Sequence, residues 1–209
     1  MSSKVPTVKT LINLLEDRSS AKRRSAAKQL RKFASPDCCQ PLLAALEREV
    51  HDNRTWETQY HMVMALGQAG CKAALPFLKT LSGRQFEHTM VLTAIGDALV
   101  RLGRSGEGDP NPLLEILSIR ADWCLADGAL RATAMLQTRF SADVAEVVID
   151  LVERRNDEAL LFWTGSACAG WSGDAVEQFL KRCSASDRDD VREAAGHAKM
   201  GQYGRWCPL

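Results

Sequence analysis

Apolar positions along the chain recur as a hexamer. Pro41-Leu42-Leu43-Ala44-Ala45-Leu46 returns as Pro76-Phe77-Leu78-Lys79-Thr80-Leu81 and again as Pro112-Leu113-Leu114-Glu115-Ile116-Leu117. Without the leading proline the same pattern fits 10–15, 146–151 and 178–183. The six starts, 10, 41, 76, 112, 146 and 178, are separated by 31, 35, 36, 34 and 32 residues. Within each copy the apolar residues fall at i, i+1 and i+4 or i+5, the stripe of a helix and not the alternation of a strand. A fixed period of this length predicts a solenoid of stacked units. Pro41, Pro76 and Pro112 are expected in first helical turns, where a missing N–H costs nothing.

A second helical stretch follows each hexamer, at 21–34, 55–69, 86–102, 123–140, 157–171 and 187–200. Between them lie short turns rich in Gly, Ser, Asp and Pro, as at 17–20, 35–37 and 172–174, and such connections keep neighbouring helices antiparallel. The expected fold is therefore all-α, an α-α superhelix of about six helix pairs with repeats starting near 5, 36, 71, 111, 142 and 174. The longest irregular stretch, 103–110, is a bend, a hinge or a boundary between two halves; we expect one continuous domain over 1–209. One helix pair cannot bury its own stripe, so stacked copies share a seam. Each buried leucine contributes roughly 1.5–3 kcal/mol, and Leu46, Leu81 and Leu117 are the expected core positions.

Composition agrees with a folded helical protein: of 209 residues 45% are apolar, 25% charged and only 6% aromatic. Net charge is +1, so no global field draws the chain to nucleic acid or membrane. Locally, residues 1–34 hold nine Lys/Arg against two acids, and residues 142–190 hold eleven acids against five Lys/Arg. Seven cysteines occur without a CxxC, and the vicinal Cys38-Cys39 is badly placed for a mutual bridge. Free thiols packed as small hydrophobes in a reducing cytoplasm are expected. The opening MSSKVPTVKT has no long apolar core, so no signal peptide is expected, and no run of 18 apolar residues predicts a membrane span.

The second helices carry a further pattern. Ala65-Leu66-Gly67-Gln68-Ala69-Gly70 ends one and Ala94-Ile95-Gly96 lies inside the next, while Arg24-Ser25-Ala26-Ala27 and Val191-Arg192-Glu193-Ala194-Ala195 stand at the two ends of the array. Together these resemble the HEAT repeat family in the short form of phycobilisome-lyase-like proteins, over about residues 5–203. The resemblance implies a right-handed superhelix whose second helices line a concave binding side. On that expectation Arg24, Lys28, Arg31, Trp56 and Tyr60 are candidate binding residues in the first half. His88, Trp123, Asp127 and Trp163 extend the candidate face along the chain. The arginine at the start of a second helix is equally suited to pair with a neighbouring repeat.

Catalytic and metal chemistry have little footing in the sequence. His51, His61, His88 and His197 are not paired at helical spacing, and Asp37, Cys38 and Cys39 are too close in sequence for a tetrahedral site. Gly165-Ser166-Ala167-Cys168-Ala169-Gly170 lacks the nucleophile-elbow spacing and a preceding strand, and fits close helix contact instead. No phosphate-binding glycine motif occurs. No cofactor or metal is expected. The expected function is non-catalytic: a bacterial adaptor, regulator or immunity-type inhibitor gripping another protein along its concave face. Family analogy leaves two alternatives, a HEAT-like DNA glycosylase acting on alkylated bases and a bilin lyase-like protein. The acidic excess over 142–190 disfavours a DNA groove, which needs cations along its length.

Overall fold

Each repeated hexamer lies on a helix. The computed structural model describes residues 6–119 and 122–204. Among these the first helices of the pairs are α1 (Val8–Leu14), α3 (Cys39–Glu49), α5 (Leu75–Ser82), α7 (Asn111–Ser118), α9 (Ala142–Arg155) and α11 (Asp174–Cys183). The second helices are α2 (Ser20–Phe33), α4 (Trp56–Gln68), α6 (Met90–Gly103), α8 (Trp123–Met135), α10 (Leu161–Ala167) and α12 (Asp189–Lys199). The described residues are helical or irregular throughout, with no strand. Two compact units divide the chain, Met1–Gly103 and Arg104–Leu209, and each carries three pairs.

Local chemistry sets the ends of these helices. The hydroxyl of Thr7 accepts from the Thr10 amide at 3.2 Å and caps α1. Asp52, Asp122 and Asp157 each accept the amide two residues on, starting the turns that lead into α4, α8 and α10. Pro76 and Pro112 occupy first turns, and Pro41 is the third residue of α3. Ala34 closes α2 in the left-handed region at φ 46°, and Gln137 does the same after α8 at φ 52°. Gln137 is why α8 stops at Met135, short of the stretch to 140 that periodicity predicts. In the third pair the helix likewise starts only at Met90, and 83–89 are irregular. The small residues after Trp163 tighten into a 3-10 turn at Cys168–Gly170.

In the N-terminal unit the second helices pack side by side in the row α2–α4–α6; in the C-terminal unit the row is α8–α10–α12. This is the packing of a helical-repeat solenoid. The middle helix of the first row has neighbours on nearly all sides, so every residue from Thr58 to Gly67 is buried. Leu46 and Leu81 are 0% exposed and Leu117 3% exposed, as the hexamer predicts. Glycine sets the spacing of the row. A Cβ on Gly67 would stand 3.1 Å from both Cα and Cβ of Ala98, so α4 and α6 approach as far as backbone permits. Arg23 ties the first pair to the second through a two-pronged bridge to Glu49, at 2.7 and 2.8 Å.

The cysteines depart from expectation. Cys38, Cys124, Cys168 and Cys183 are buried and outside any disulfide, but Cys39 and Cys71 are bonded to each other. The poor geometry of the vicinal pair is irrelevant here, because the antiparallel α3–α4 hairpin returns the chain to its start and brings Cys71 beside Cys39, with Cα atoms 5.3 Å apart. A separation of 32 residues, close to one repeat, was the signal for this pairing. Cys207 lies outside the described residues.

Candidate functional site

The first cluster of candidate residues sits on the second helices of the N-terminal unit. Arg24 on α2 forms an ion pair with Glu57 in the first turn of α4, the link between successive repeats that its position allows. Lys22 pairs with Asp17 and Arg23 with Glu49, so three consecutive cations of the basic run over residues 1–34 are paired within the unit. Lys28 remains exposed on the same helix. Trp56, half-buried at the start of α4, stacks on His88 with ring centroids 4.9 Å apart.

Beneath this rim the candidates are buried. Arg31 is 5% exposed, and its Nη1 lies 3.5 Å from Nδ1 of His61. Burial, reinforced by the positive charges of Arg31, Lys28 and Arg24, lowers the His61 pKa to about 4. A neutral imidazole at this point can accept from the guanidinium, whereas an imidazolium cannot. Tyr60 is fully enclosed and meets the His61 ring edge-on at 5.2 Å. Tyr60 and Arg31 therefore shape the face from below, while Arg24, Lys28, Trp56 and His88 reach its surface.

The second cluster belongs to the C-terminal unit. Trp123 opens α8 and is 44% exposed; Ile119, just past the end of α7, is 53% exposed. They stand on a groove of about 570 Å³ lined by Leu117, Ser118, Ile119, Trp123, Leu151, Arg154, Arg155 and Asp157. The Arg155 guanidinium donates to the Ile119 carbonyl at 3.2 Å and fixes one wall. Arg154 is held by Asp150 on its own helix at 2.8 Å, an exposed pair that a competing carboxylate can open at little cost. The groove thus combines two large apolar side chains with two guanidinium groups.

Asp127 lies one turn after Trp123 on α8. Burial raises its carboxyl to about 6, opposed by the positive charges of Arg131 and Arg188 and reinforced by Asp157. Trp163, by contrast, is 7% exposed and packs edge-on against Phe162 with centroids 4.7 Å apart. Sequence reasoning named Trp123, which lines this groove, and Asp127, which does not, and did not name Ile119, Arg154 or Arg155. The available signal for Ile119 was an apolar residue just beyond the end of a repeated stripe. Nothing local marks the two arginines, because only the neighbouring pair brings them to the groove.

Among the described residues no group of three His, Cys, Asp or Glu side chains is placed to hold a metal ion. Nor is there, among them, a helix long and apolar enough to cross a membrane. The Gly165–Gly170 segment lies where α10 meets α12: a Cβ on Gly165 would stand 3.8 Å from the Cβ of Ala194, and Ser166 is buried.

A family model described as PBS lyase HEAT-like repeat matches residues 22–48, which span α2 and α3. The crystal structure of an engineered protein from the Northeast Structural Genomics Consortium is similar over 95% of this chain and 99% of its own, at 17% identity and a TM-score of 0.41. No curated protein matches the chain.

Proposed function

Taking as premise the match of residues 22–48 to a PBS lyase HEAT-like repeat, we propose that this is a HEAT-repeat chain and a non-catalytic module that binds another protein. The observation that carries the reading is the exposure of Trp123 and Ile119 over a groove with Arg154 and Arg155. Leaving a tryptophan and an isoleucine in water beside two arginines has no benefit to folding, and this combination is the usual make-up of an interface hot spot. The rim of Arg24, Lys28, Trp56 and His88 offers a second contact region on the N-terminal unit. Asp127, beside Trp123, would meet the partner's polar edge. A stable complex of this kind buries about 1,200–2,000 Å² in total. Neutralisation of Lys22, Arg23 and Arg24 by internal carboxylates supports a protein partner over nucleic acid. We read residues 1–209 as a single HEAT-repeat domain that comprises the two compact three-pair units. We read the setting as cytoplasmic, where the Cys39–Cys71 bond would be open to reduction.

Affinity capture from native cell extract tests this reading. The wild-type chain is expected to retain a defined protein that Trp123→Ala with Arg154→Glu loses. Duplex DNA serves as the competing ligand: salt-sensitive gel shift, with no protein retained, would overturn the reading in favour of a DNA-directed activity.

A further inference from the structure

The Cys39–Cys71 bond closes one particular point of the fold. Cys39 is the first residue of α3, and Cys71 follows the left-handed Gly70 that ends α4 and precedes the 3-10 turn Lys72–Ala74 leading into α5. The bond therefore staples the open end of the α3–α4 hairpin and pins the junction where the third pair begins. The two residues differ in exposure, since Cys71 is 4% exposed while Cys39 is half-buried. The adjacent thiol of Cys38 is fully buried and lies 2.8 Å from the Ser35 carbonyl, to which it donates. Burial raises the Cys38 pKa, which keeps it protonated and a poor nucleophile. The one thiol close enough in sequence to scramble the bond is thus restrained.

We propose that Cys39–Cys71 is a reversible redox staple that sets the local stability of the junction between the second and third helix pairs. A cellular dithiol is the reductant. Its thiolate attacks Sγ of Cys39, the more exposed of the two residues, and Cys71 leaves as a thiolate that takes up a proton. The second thiol of the reductant then displaces Cys39 from the mixed disulfide. Two electrons and two protons pass to the protein, and the dithiol becomes a disulfide. Reduction frees the Cys71 turn from α3 and returns conformational freedom to the chain that the bond encloses. The local opening of this end of the hairpin then becomes easier, while the row α2–α4–α6 is retained.

The test uses the full chain. Wild-type protein equilibrated with oxidised glutathione is alkylated and mapped by mass spectrometry, then treated with dithiothreitol in its folded state and mapped again. A peptide linking Cys39 to Cys71 is expected before reduction, and two separate thiol peptides after it. The melting temperature should fall by about 5 °C or more on reduction. Amide exchange at 36–39 and 69–75 should rise at least tenfold. Cys71→Ser should show no response to dithiothreitol in either readout; should that variant fail to fold, exchange in reduced wild type decides. Absence of the linked peptide overturns the proposal. So does a bond that dithiothreitol opens only after unfolding, or one whose reduction changes neither melting nor exchange.

Discussion

Asp127 and His61 are held away from their ordinary ionisation in opposite senses, and each leaves a signature in pH. Burial raises Asp127 from 3.8 to about 6, so its contribution to folding is full below pH 3.8 and lost as pH rises through 6. Above pH 6 a partly buried carboxylate is retained at a cost on the order of 1–3 kcal/mol. Asp127→Asn should therefore raise stability at pH 7.5 and change it little at pH 3.5, as chemical denaturation will measure. A residue kept against stability beside an exposed tryptophan fits a binding role. For His61 the folded pKa is lowered from 6.5 to about 4, so its contribution is present above pH 6.5 and lost as pH falls to 4. His61→Gln should flatten that acid loss. Hydrogen exchange resolved by unit should then show the two effects apart, with the His61 loss in Met1–Gly103 and the Asp127 gain in Arg104–Leu209.

Among the elements, the second helices decide the packing. Gly67 and Ala98 fix the approach of α4 to α6, and any side chain at Gly67 must push against backbone. Gly67→Val should destabilise the N-terminal unit by about 2–3 kcal/mol in urea denaturation. Ala34, by contrast, ends α2 in a left-handed conformation that favours glycine, and Ala34→Gly should raise stability by about 0.5–1 kcal/mol. The helix pairs were legible because the hexamer is periodic: Leu46, Leu81 and Leu117 take the same buried place on α3, α5 and α7. Helix ends were less legible, since they turn on single residues such as Gln137 and Asp157 rather than on period. Tyr60 and Trp163 show a further limit. Both lie on second helices, yet α4 and α10 have packed neighbours on either flank, and a one-dimensional pattern does not say which flank a large ring faces.

For the whole molecule the repeat itself explains what sequence could not show. Stacking brings residues about one period apart into contact, so Cys39 meets Cys71 and Arg24 meets Glu57, while Ile119 meets Arg155 across the groove. These pairings create the staple, the ion pair between successive second helices and the candidate interface, and none is visible as a local motif. The proposed function requires that the groove around Trp123 engage a protein partner. The most direct test is the equilibrium affinity of the captured partner for wild type and for Trp123→Ala, with helicity compared by circular dichroism. The proposed interface requires a Kd at least tenfold higher for the variant, about 1.4 kcal/mol, with helicity unchanged. Equal affinity for both proteins would contradict it.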